Sequence, residues 1–426
     1  MNFYIGGISS NDIDSIESFP EAKIYGVILN QYNLYDRGTR LYTSKRYQFS
    51  PSTSTSPGRD DFITNEAGPF MIRECATRYN SSTGKQEVAA YKGDSNWASV
   101  KNNTSYHKMI EFPKFYYYMP NYYTIAVSSE LVKGFKPSPM HYRNGHMYDY
   151  VYISKYPVNS DIMSTGSDLY TCDHSTLFGN KTIVTNLLKK ELRMLDYKVF
   201  YSLMMLMVVK YNTFDFHSIF GGLYGSNNYK TDYTLSGDGS QITYSNIYYN
   251  TISTMGLINF YHNRGCWING IGTGTEGSYL YRLLIDSAID SKYYPLDLQK
   301  MIGFSKRLNS IQSRYLFYDK IIEAFPIDCD TEDANARITM TITDSYPLYE
   351  YIPRLRYRTI DNYSLYTSYY RKTSPLYSSE TVTFIPMSSS ATTNDYSYNR
   401  YGPLQISLAH TDARYIRTYF CADEVN

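Results

Sequence analysis

The chain has 426 residues, room for one large domain or roughly two to three ordinary ones, and a formal net charge of +1. With a sequence pI near 7.5 it carries no long-range field that would recruit nucleic acid or an anionic membrane. Apolar residues make up 42% and aromatic residues 17%, which excludes an intrinsically disordered chain.

Residues 1–22 form a polar lead with a helix-start signal, Ser9-Ser10-Asn11-Asp12. Neither a basic n-region nor an apolar h-region is present there, so no signal peptide is expected. Ile24 to Leu29 reads as a strand, and a Pro/Ser/Thr/Gly loop succeeds it from Ser50 to Arg59. From Met109 to Tyr156 the pattern is strand-rich. Phe115–Met119, Tyr123–Val127 and Tyr148–Ile153 are Tyr- and β-branched-rich runs, broken by Pro-Asn and Asn-Gly turn signals.

Thr185 to Leu192 reads as a short helix. A stronger one comes next: Asp196 is placed to cap it, and Val199, Leu203, Leu206 and Met207 recur at the helical period up to about Tyr211. The longest apolar run, Leu203–Val209, is far too short to cross a bilayer. Beyond residue 215 the chain returns to Gly/Ser/Asn/Tyr loops and short strands. Few helices on short strands with long loops make an α+β fold, and long loops in a compact domain usually carry function. No repeat, heptad or collagen-like period provides a fibre shaft.

Catalytic and metal motifs are scarce. Gly270-Ile-Gly272-Thr-Gly274-Thr-Glu-Gly277 contains a literal G-x-G-x-x-G, but no strand-and-helix unit surrounds it, so a flexible loop is expected. Asp328-Cys-Asp330-Thr-Glu332-Asp333 starts like a calcium loop, lacks its glycine and its closing glutamate, and reads as a solvated turn. His262 with Cys266, or Cys172 with His174, offers two ligands and not a zinc site. Cys75, Cys172, Cys266, Cys329 and Cys421 are odd in number and widely spaced, as free thiols of a cytoplasmically assembled protein would be. No nucleophile elbow, Walker A or H-E-x-x-H occurs. No enzyme activity, cofactor or metal is expected, although paired carboxylates for glycoside cleavage leave no local signature.

Binding is the better-supported class. The chain has 50 tyrosines against 19 phenylalanines and 2 tryptophans. Tyr with Ser, Gly and Asn dominates recognition surfaces, because it gives large contact area at low entropy cost. Codon bias of an AT-rich genome would raise Tyr and Asn as well, and both causes stay open.

Several segments, taken in order, resemble phage and prophage tail or fibre surface proteins with a C-type-lectin-like domain. Ile24-Tyr25-Gly26-Val27 with Arg40-Leu41-Tyr42-Thr43 is similar to their opening Y-G-V and Y-T elements. Met109-Ile-Glu-Phe-Pro-Lys-Phe-Tyr-Tyr117 is similar to I-P-K-F-Y-Y, and Tyr148-Asp-Tyr-Val-Tyr-Ile-Ser-Lys-Tyr156 to D-x-V-Y-I-G-A-Y. The helix from Leu195 to Asn212 takes the place of their central helix. Leu257-Ile-Asn-Phe-Tyr-His-Asn-Arg-Gly-Cys-Trp-Ile-Asn-Gly270 is similar to G-I-E-N-F-Y-G-N-x-W-x-W-I-D-G, and Tyr401-Gly-Pro-Leu404 through Ala413-Arg-Tyr415 to the closing strands. Phe216-His217-Ser218 departs from the usual Asn-Ser-Gln, which removes the Gln that would anchor a loop; Cys266 and Asn269 replace Trp and Asp, and this second departure argues against a calcium site of the Trp-Asn-Asp kind.

The resemblance implies a lead at 1–22 that attaches to other virion proteins, a β-rich region over 23–125 and a C-type-lectin-like domain over 126–426. It also implies a homotrimer on the virion surface, assembled in host cytoplasm, that binds a bacterial surface glycan or protein, with no nucleic acid and no membrane insertion. The alternatives are a structural head or tail decoration with no host ligand, or a polysaccharide-acting enzyme. The expected contact residues are Asp395, Tyr396, Tyr398, Asn399 and Tyr401 in the late loop, with Tyr279 and Tyr281 behind the glycine run. Trp267 is expected to be core.

Overall fold

The computed structural model describes residues 23–29, 37–51, 58–62, 68–121, 124–143, 146–166, 170–172 and 182–213. Between 214 and 413 it describes residue 219 and the segments 235–237, 251–258, 260, 266–274, 280–283, 301–303, 315–317, 337–339, 359–360, 363–364, 368–371, 383–387 and 404–407, and it closes with 414–424. The expected lead at 1–22, the interior of the Ser50–Arg59 loop and the Asp328–Asp333 segment lie outside the described residues. The described residues form mostly antiparallel strands with few helices, an α+β arrangement.

In chain order the first strands are β1 (Ile24–Ile28), β2 (Thr39–Tyr42), β3 (Phe49–Ser50), β4 (Arg59–Asp60), β5 (Arg73–Asn80), β6 (Lys85–Tyr91), β7 (His107–Pro113), β8 (Tyr116–Asn121), β9 (Thr124–Ser128), β10 (Lys136–Pro137), β11 (Tyr142–Arg143), β12 (His146–Met147) and β13 (Tyr150–Ser154). The helices are α1 (Trp97–Val100), α2 (Thr182–Lys189) and α3 (Tyr197–Tyr211). A five-stranded antiparallel sheet runs β10-β8-β9-β1-β2. A six-stranded sheet runs Arg193–Met194, Thr418–Ala422, β13, β7, β5, β6. The expected division at residue 125 therefore runs through β9, and the six-stranded sheet draws strands from both sides of it.

Helix α3 fills the space between these sheets. Its contacts include β9, β1 and the strand Cys266–Gly274. The sequence predicts one apolar stripe at Val199, Leu203, Leu206 and Met207, but every residue from Lys198 to Thr213 is buried. The other faces, Phe200, Tyr201, Met204, Met205 and Val208, are apolar too, and a helix apolar all round belongs in the middle of a core.

Its ends follow from local chemistry. The Asp196 carboxylate accepts the Val199 N–H at 3.0 Å, and the Tyr419 hydroxyl donates to its other oxygen at 2.5 Å. Asn212 ends the helix in the left-handed region (φ 59°), and the Arg40 guanidinium donates to the carbonyls of Val209 and Lys210 at 2.8 and 2.7 Å. Burial and then the neighbouring Arg37 bring the Arg40 pKa down to about 10, while Asp60 opposes them. The buried Lys210 ammonium meets the Asp60 carboxylate at 2.6 Å. Gly38 lies so close that a Cβ there would stand 2.4 Å from the Ile28 carbonyl oxygen.

Asp196→Ala removes the cap and leaves the buried Tyr419 hydroxyl without its carboxylate. We expect a loss of about 2–3 kcal/mol in chemical denaturation, with Asp196→Asn recovering part of it. An unchanged midpoint would show that neither bond contributes.

Helix α2 begins three residues before the Thr185–Leu192 span expected from sequence. It stops at Lys189 because Glu191 enters the left-handed region (φ 55°) and the Leu192 N–H turns back to the Leu187 carbonyl at 2.9 Å. The six-stranded sheet is covered on both faces. Ile110, Phe112, Val151, Ile153 and Tyr419 face the α3 core. Cys75, Met109, Tyr152 and Phe420 face a second cluster with Leu187 of α2 and Trp267.

Candidate functional site

Two places could carry recognition: the strand system around Cys266–Gly274, to which the sequence points, and the outer end of the six-stranded sheet, which no sequence motif marks.

Cys266–Gly274 is one strand, flanked by Leu280–Leu283 on one side and Thr383–Met387 on the other, both antiparallel. This corrects the expectation of a flexible loop at the glycine run. Gly270, Gly272 and Gly274 sit in a paired strand whose register shifts between Ile268 and Gly272, and an irregularity of that kind accommodates glycine readily. The next described element after the run is a second strand, Leu280–Leu283, whereas a phosphate-binding turn leads into a helix. Trp267 is fully buried, as expected, and packs in the cluster with Cys75, Met109 and Phe420. Cys266 is fully buried beside the Arg417 guanidinium, and burial raises the free Cys75 thiol well above its ordinary range.

The late-loop residues Asp395, Tyr396, Tyr398, Asn399 and Tyr401, and Tyr279, lie outside the described residues. Tyr281 is placed in a strand opposite Thr273, not in a loop. Strand register still fixes where the connections start. Met387 stands opposite Cys266 and Thr383 opposite Thr273. The connection after Met387 therefore leaves at the Cys266 end, whereas the connection between Gly274 and Leu280 lies at the other end.

Among the described residues, a hydrogen-bonded belt crosses five neighbouring strands. Register pairs Arg73 with Glu111, Glu111 with Tyr152, and Tyr152 with Phe420, so these side chains share one face. Tyr91 pairs with Cys75 and falls on the same face. The buried Glu111 carboxylate accepts Arg73 Nε at 2.7 Å, is bridged by a terminal guanidinium nitrogen at 2.7 Å, and accepts the Tyr91 hydroxyl at 2.5 Å. The guanidinium lies 3.9 Å over the Tyr91 ring, and Tyr152 stacks on Phe420 at 4.5 Å. Burial, and then the hydrogen bond to Glu111, push the Tyr91 phenol up; burial and the neighbouring Tyr91 do the same to Tyr152. Both phenols therefore stay neutral donors at physiological pH. The one local sequence signal is Glu111 standing inside an apolar strand, which demands a buried partner.

No three His, Cys, Asp or Glu side chains among the described residues gather to hold a metal ion, and no helix there is long and apolar enough to cross a membrane. No family model matches the chain, and no curated protein matches it.

Proposed function

We propose that this chain is a bacteriophage virion surface protein that attaches to the host by binding a bacterial surface glycan or protein through a C-type-lectin-like domain. The ordered resemblance over residues 24–420 motivates the reading. The observation that carries it is the return of the chain to its own scaffold. Thr418–Ala422 pairs with β13 and with Arg193–Met194, so the chain between residues 195 and 417 leaves from and comes back to one buried sheet. A rigid base of that kind lets long polar connections vary without unfolding the core. The connection between Met387 and Leu404, rich in Tyr, Asn and Ser, is the chosen contact surface.

The test is the combined variant Tyr396→Ala, Tyr398→Ala, Tyr401→Ala. The melting temperature should stay close to that of the parent, since surface substitutions usually change stability by less than about 0.5 kcal/mol. Adsorption to host cells should fall by tenfold or more, because one anchoring Tyr contributes ~2 kcal/mol. A folded variant that adsorbs as well as the parent removes the late loop as the contact surface.

A further inference from the structure

Tyr91 and Tyr150 are partly buried against the second core cluster, and Arg73 and Glu424 lie at the same end of the six-stranded sheet. Arg73 is pinned from two sides, by the Glu111 carboxylate and by the Tyr91 ring beneath it. One terminal nitrogen of its guanidinium makes no hydrogen bond among the described residues, and the side chain is 48% exposed. Tyr150 lies on the same face, two residues before Tyr152 and 6.2 Å from it, half-buried. Burial raises its phenol pKa first, and the Glu424 carboxylate is near enough to raise it further. A donor and an aromatic face thus share one side of the sheet with an acceptor near the ring, and Arg73 is held in place before any ligand arrives, so little of its ordering entropy is lost on binding.

We propose that this rim binds a neutral pyranose saccharide. The free N–H groups of Arg73 donate to ring hydroxyls, the Tyr150 ring stacks on the apolar face of the sugar, and Glu424 accepts a hydroxyl. An anionic polymer fits badly. Glu111 already neutralises Arg73, Lys114 is paired with Asp149 at 2.5 Å, and Asp423 and Glu424 are exposed nearby. This site uses none of the late-loop residues, and its failure leaves the attachment reading standing.

Saturation-transfer NMR on the full chain tests it with methyl glucoside, N-acetylglucosamine oligomers and polygalacturonate as probes. The neutral sugars should receive transfer and polygalacturonate should not. Tyr150→Ala and Arg73→Lys should each weaken binding tenfold or more. Arg73→Lys keeps a cation facing Glu111, so it separates lost recognition from lost folding; it removes the planar fork. The Tyr396/Tyr398/Tyr401 triple variant should keep the transfer, whatever its adsorption. Absence of transfer to every neutral sugar, preference for polygalacturonate, or unchanged binding in both Arg73→Lys and Tyr150→Ala overturns the proposal. So does binding only to proteinase-sensitive envelope material.

Discussion

Trp267→Ala should lower the stability of the folded chain by about 3–5 kcal/mol, the usual cost of emptying a large aromatic site in a close-packed core. The indole is fully buried among Cys75, Met109, Phe420, Leu187 and Ile416, contributed by β5, β7, the C-terminal strand, α2 and the link before that strand. No single neighbour can move to fill the space, because each is anchored in a different element. Urea titration of parent and variant gives the difference directly, and binding should fall only in proportion to unfolded protein. A variant with unchanged stability but lost adsorption would make Trp267 a contact residue and reverse the assignment.

Arg417→Met should cost as much or more, about 3–6 kcal/mol. Arg417 is completely buried, and its guanidinium donates to the carbonyls of Ser154 and Lys155 and, at 2.5 Å, to Ile258. Burial lowers its pKa, and the Cys266 sulfur beside it works in the opposite direction. Methionine fills the volume but donates nothing, so the Ser154 and Ile258 carbonyls lose this donor, at ~1–3 kcal/mol each, while the Lys155 carbonyl keeps the Ile258 N–H at 2.8 Å. Arg417→Lys should recover only part, since a single ammonium cannot span the planar spread of acceptors. Thermal melts of the two variants measure the order. A methionine variant as stable as the parent would show that the bonds offset no more than the desolvation of the charge.

Legibility in the sequence tracks locality. Asp196 is readable as a cap because capping needs only the next three residues, and β1, β8, β9 and β13 are readable from Tyr- and β-branched-rich runs. The hairpin of β5 and β6 does not stand out in the same way. Its strands carry Arg73, Glu74, Arg78, Lys85 and Glu87, charges that hide the alternation, although the tip Asn80 to Gly84 carries turn residues. The full burial of α3 is hidden for another reason: its enclosure depends on β1, β9 and Cys266–Gly274, far apart in sequence. The Arg73–Glu111–Tyr152 belt has no motif at all. Its members come from separate strands and meet only through register, which no spacing rule encodes. The glycine run misleads because G-x-G spacing says nothing of whether a strand pairs around it.

Thr418–Ala422 slots between β13 and Arg193–Met194 in the six-stranded sheet. On the ribosome, β7 and β13 emerge long before that strand is translated. During the interval β13 offers a bare edge of Tyr150-Val151-Tyr152-Ile153, a β-prone sequence able to template a neighbouring nascent chain. Closure of the central sheet therefore waits until residue 422 has left the ribosome. A product terminated ahead of residue 418 is an aggregation-prone open sheet rather than a smaller folded domain.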